Sequence, residues 1–134
     1  MKRRRRLACA AAFAVLVATL VDDATAPSAI KHPRPSFVLV LAGVIAAALL
    51  ALAPRIRSGV VALGAGLAAG GALATLLSGL AWAGGVPDPL LADGIAFNLA
   101  DLAIAAGDAS LVIGVCAHAW MNRADLTRPV SADP

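Results

Sequence analysis

The stretch GVPDPLLADGIAFNLADLAI, residues 85–104, sets Asp88, Asp93, Asn98 and Asp101 against an apolar run that continues to Trp120. Whether this is a surface loop or the mouth of a membrane helix is decided by the rest of the chain. Its 134 residues leave room for one domain and little more. Apolar residues make up 60% and charged residues 14%, with a mean hydropathy of +0.86. A soluble domain of this size needs far more charged surface, so the composition predicts an all-α integral membrane protein. Aromatic residues are scarce while Ala, Leu, Val and Gly dominate, which favours close helix–helix packing.

Working outward from that stretch, four apolar segments approach or reach the roughly 20 residues that cross a hydrocarbon core. They cover about 7–21, 36–53, 59–83 and 95–120. Together they predict a four-transmembrane-helix bundle in a single domain, 1–120, followed by a polar cytoplasmic tail, 121–134. The third segment contains Gly66-x-x-x-Gly70, a spacing that lets helix backbones approach closely. No strand precedes a glycine-rich turn, so a nucleotide loop is excluded.

Lys and Arg orient the spans. Lys2 to Arg6, Arg55, Arg57, Arg123 and Arg128 fall on one side, and Lys31 and Arg34 alone fall on the other. The positive-inside rule therefore predicts a multi-pass protein of the cell membrane with both termini cytoplasmic and residues 22–35 and 84–94 facing outward. The net charge of +3 comes from these clusters and reads as topology, with no nucleic-acid partner. A competing reading makes MKRRRR, the apolar run and Ala24-Thr25-Ala26 a cleavable signal peptide. Pro27 after the cut and Asp22-Asp23 beside it argue against cleavage, and removal would put the basic clusters out of phase. Cys9 and Cys116 lie within apolar runs, so neither a disulfide nor a metal site is expected.

Carboxylates inside a membrane are costly, which makes each a functional candidate. Asn98, Asp101 and Asp108 share a helix face, with Asp101 about two turns inside the fourth segment. The bland alternative is a polar stripe that holds helices together. Asp88, in a Pro-Asp-Pro context, and Asp93, before Gly94, read singly as turn residues, and Asp93 also as a helix cap. Asp88 and Asp101 together carry a sharper reading. Two carboxylates meeting at a membrane surface can share one proton, because two close negative charges are unfavourable. The ionised member activates water and the protonated one polarises a carbonyl, which is aspartic-protease chemistry without metal or cofactor.

Phe97-Asn98-Leu99-Ala100-Asp101, with Ile104 and Gly107 beyond it, resembles the F-N-x-A-D motif of signal peptidase II, the lipoprotein signal peptidase family. Val86-Pro87-Asp88 resembles the family's V-V-D element, and the short interval between the two aspartates is similar to that of actinobacterial members. Leu20-Val21-Asp22-Asp23-Ala24-Thr25 resembles the end of the family's first helix, with Asp22 at the acidic position. Gly70-Gly71-Ala72-Leu73 is similar to the opening of its third-helix signature. That signature continues in the family as G-N-x-x-D-R, where this chain reads Ala74-Thr75-Leu76-Leu77-Ser78-Gly79. The family's lysine after the first helix is Ala26 here, and its outward N-x-G-x-A-F segment has no counterpart.

The resemblance implies a monomeric membrane aspartic endopeptidase that cleaves lipid-modified prolipoprotein signal peptides at the outer face. Asp88 and Asp101 would be its catalytic pair, supported by Asn98 and Asp22. His32 and Arg34, in the short outer loop, would bind a lipid head group or a substrate carbonyl. The partners implied are the prolipoprotein substrate and membrane lipid. Two other readings stand beside it. A catalytically degenerate relative would bind lipoprotein precursors or a membrane partner without cleaving. A small proton-conducting bundle would use Asp101 and Asp108, although residues 111–116 supply no polar side chain to continue the path.

Overall fold

The computed structural model describes residues 1–26 and 30–123. Four long helices, α1 (Lys2–Thr25), α2 (Ser36–Leu52), α3 (Gly59–Ala81) and α4 (Leu99–Met121), dominate the chain. All four are long and apolar enough to cross a membrane. Among the described residues a 3-10 turn (Ala53–Arg55) follows α2, and four three-residue strands accompany the helices: β1 (Ile30–His32), β2 (Val86–Asp88), β3 (Leu90–Ala92) and β4 (Ile95–Phe97). β1 pairs with β2 and β3 with β4, both antiparallel. Residues 124–134, most of the expected polar tail, and Pro27 at the candidate cleavage position lie outside the described residues.

Helix α3 is the axis of the bundle, because its small residues admit neighbours on several sides. Gly66 and Gly70 face α1: a Cβ on Gly66 would stand 2.5 Å from the Ala8 carbonyl oxygen, and one on Gly70 would stand 2.6 Å from that of Ala12. Gly64 and Gly71 face α4 in the same way, the latter 2.6 Å from the Ala100 carbonyl oxygen. Backbones this close gain dispersion contacts that larger side chains would prevent. α2 packs on a third side, with Ala46 against Ala69 and Ala72, and Leu39 against Gly79. These pairings run α1 parallel to α3, and α2 and α4 antiparallel to it. The four strands therefore gather at one end of the bundle. Lys2 to Arg6, Arg55, Arg57 and Arg123 gather at the other, where Arg4 donates to the Ile56 carbonyl at 3.0 Å.

The observed ends correct two of the expected spans. α1 runs well past 7–21 at both ends, because arginine is a good helix former and Asp23 is held against α3. The fourth helix begins at Leu99 rather than 95. Asp93 (φ 49°) and Gly94 (φ 81°) form a two-residue turn with both backbones left-handed, which folds Ile95–Phe97 back on Leu90–Ala92 as a hairpin. Asp93 is thus a turn residue and not the cap of the last helix. Asp101 accordingly lies in the first turn of α4, not two turns inside it.

Candidate active site

Asn98 organises the end of the bundle opposite the basic clusters. As N-cap of α4 it accepts the Asp101 backbone N–H on Oδ1 at 3.1 Å. The Asp101 carboxylate accepts the Asn98 backbone N–H in return at 3.2 Å, closing a reciprocal cap. The amide nitrogen of Asn98 then donates outward, to the Pro87 carbonyl at 3.2 Å and to Asp88 Oδ1 at 3.1 Å. Asn98 is 1% exposed and Asp88 2%, so these bonds satisfy polar groups that water does not reach. Among the described residues the two expected catalytic carboxyls are joined through Asn98 and form no hydrogen bond to each other.

Strand β2 brings Asp88 into this network. All three of its residues are buried, and the turn before it depends on Gly84 and Gly85, both at positive φ. A Cβ on Gly85 would overlap the His32 carbonyl, so glycine is required where β1 crosses. The ladder places the half-exposed His32 beside Asp88, with Nδ1 2.5 Å from Oδ2. Arg34, midway between β1 and α2, does not join these bonds. It lines a groove of about 310 Å³ between α2 and α4, floored by α3. Asp101, Asp108 and Thr75 line the same groove among Val38, Leu41, Ile45 and Ile104. The groove is therefore apolar along its length, with carboxylates on its α4 wall.

Asp22 is half-buried, and its backbone carbonyl accepts the Thr25 hydroxyl at 3.1 Å. The buried neighbour is Asp23, to which the Ser78 hydroxyl donates across the α1–α3 interface. Thr19 and Thr75 are buried as well, and their hydroxyls and Asp23 Oδ1 have no partner among the described residues. Sequence reasoning gave no site role to Asp23, Ser78, Thr19 or Thr75. A signal was present: Thr19 and Asp23 are four apart on one helix and Thr75 and Ser78 three apart on another, spacings that set each pair on one helix face.

Among the described residues no three His, Cys, Asp or Glu side chains are grouped to hold a metal ion. The arrangement offers two carboxylates coupled through one amide, of which Asp101 lines the apolar groove and Asp88 is buried behind Asn98. Compared with known protein families, curated proteins and solved structures, the chain matches none.

Proposed function

We propose that this chain is a divergent, shortened membrane aspartic endopeptidase of signal peptidase II type. It spans the cell membrane four times with both termini in the cytoplasm, and cleaves lipid-modified precursors at the outer face. The observation that carries this reading is the Asn98 network, which couples buried Asp88 to Asp101 beside a groove open between α2 and α4. A lipid-modified substrate enters that groove sideways, its acyl chains against Val38, Leu41 and Ile45. The ionised carboxylate of the pair takes a proton from water as the water oxygen attacks the scissile carbonyl. The protonated carboxyl delivers its proton to the carbonyl oxygen. The tetrahedral intermediate then collapses: one of its two hydroxyls returns a proton to the ionised carboxylate, the C–N bond breaks, and the leaving amine takes the proton of the other carboxyl. Separation of the carboxyls by Asn98 is compatible with this chemistry, since catalytic hydrogen bonds often tighten only when substrate is bound.

The polar positions of the third-helix signature support a modified site. Thr75 and Ser78 stand where the resembling family has asparagine and aspartate, and both are buried. The same observation favours a second reading, a non-cleaving relative that binds precursors, because Ser78 is already committed to Asp23. Expression in cells depleted of their own lipoprotein signal peptidase separates the two. Restored precursor processing by the wild type, abolished by Asp88→Asn and by Asp101→Asn, is the expected result. No processing from well-expressed, membrane-inserted protein overturns the endopeptidase reading and leaves the binding one.

A further inference from the structure

In the β1–β2 ladder Ile30 lies opposite Asp88 and His32 opposite Val86. His32 and Asp88 are therefore diagonal neighbours on one face, a separation that longer side chains span. The Asp88 side chain is 1% exposed and that of His32 48%, so the imidazole covers the buried carboxylate from the outer side. His32 meets Oδ2 while the Asn98 amide meets Oδ1. An aspartate carboxylate turns about its terminal torsion with little intrinsic preference. One partner leaves that rotation soft, whereas two partners on different oxygens fix it. Gly85 allows the close backbone crossing that makes the pairing possible.

We propose that His32 is a positioning residue for Asp88, its Nδ1–H holding the carboxylate against Asn98 in the orientation that meets the scissile bond. This rests on the endopeptidase reading above. It assigns His32 to the carboxylate rather than to a head group or a substrate carbonyl, and it gives the shortened outer loop a defined task.

The test uses full-length protein in lipid nanodiscs and a synthetic peptide carrying a diacylglyceryl cysteine between fluorophore and quencher. His32→Ala is expected to lower kcat about 10–100-fold, the order of loss that misplacement of a reacting group produces. KM should stay within about twofold of wild type. His32→Asn sets its amide nitrogen near the place of Nδ1 and recovers most of kcat, while His32→Gln, whose amide reaches the Nε2 position, does not. Wild-type kcat in His32→Ala, or equal rescue by Asn and Gln, overturns the positioning role while leaving the endopeptidase reading intact. A wild type that cleaves nothing overturns both. Nitrogen-15 NMR of the imidazole supplies a readout independent of turnover. A downfield Nδ1–H proton is expected in wild type and in Asp101→Asn, and is lost in Asp88→Asn. Its absence from the wild type overturns the contact whatever the activity. Should His32→Ala fail to fold, the Asn–Gln comparison and the NMR signal decide the matter.

Discussion

Replacing Asn98 separates two contributions that its side chain makes at once. Its oxygen caps α4 and its nitrogen ties Asp88 and Pro87 to the helix mouth. Asn98→Ser keeps a capping oxygen and loses the amide donors, whereas Asn98→Ala loses both. The alanine variant should be less stable than the serine variant by about 1 kcal/mol, the usual worth of a cap, in unfolding from detergent micelles. Precursor processing should fall equally in the two. Ser78 poses a simpler case, since its hydroxyl is the partner that Asp23 has across the α1–α3 interface. Ser78→Ala leaves a buried carboxylate oxygen unmet and should cost about 1–3 kcal/mol. Ser78→Ala placed on Asp23→Asn should cost measurably less, a difference that a double-mutant cycle reads directly. At this scale the sequence disclosed Asp88, Asn98 and Asp101, because polar residues in an apolar run stand out. It named Asp22 as the supporting residue, whereas Asp23 is the one buried against Ser78. Adjacent residues differ by about 100° around a helix, and only the phase set by Gly66 and Gly70 against α1 decides which one is buried.

Among the elements, the segment between α3 and α4 departs most from what apolarity suggests. Ile95, Ala96 and Phe97 extend an apolar run that reads as helix, yet they form β4. Two local devices override the run: the Asp93-Gly94 turn, and the Asn98–Asp101 cap that starts the helix four residues late. Turn chemistry of this kind is visible in the sequence, but its competition with hydropathy is settled by pairing to β3. The β1–β2 ladder was less legible still, because three-residue strands carry too short a pattern to stand out. Gly85 is the residue on which that ladder turns. Gly85→Ala forces a side chain into the His32 carbonyl at a left-handed backbone, and should detach β1 from β2. The expected outcome is faster amide exchange at Val86 and Asp88, and loss of processing, with the helices still folded by circular dichroism.

At the scale of the whole molecule, four helices long and apolar enough to cross a membrane followed from hydropathy, and α3's glycines announced close packing. Which helix would be central did not follow, since all four are comparably apolar. The proposed orientation is checked by single-cysteine labelling in a background carrying Cys9→Ser and Cys116→Ser. A membrane-impermeant reagent should label Leu91→Cys in intact cells, and Ser58→Cys only after permeabilisation. The reverse pattern would place the carboxylates on the cytoplasmic side and remove the outer-face cleavage reading.

The central place of α3 also bears on how the protein is made. Helices α1 and α2 leave the translation machinery first, yet each finds its main partner in α3 rather than in the other. A nascent chain ending near residue 57 therefore carries two apolar helices with little to fasten them to each other. Emergence of the glycine-rich third helix is the step at which assembly begins, and α4 then completes the polar end. Arrested chains ending after α2 should be degraded rapidly in pulse–chase experiments. Chains extended through residue 83 should persist, although Asp88, Asn98 and Asp101 have yet to be synthesised.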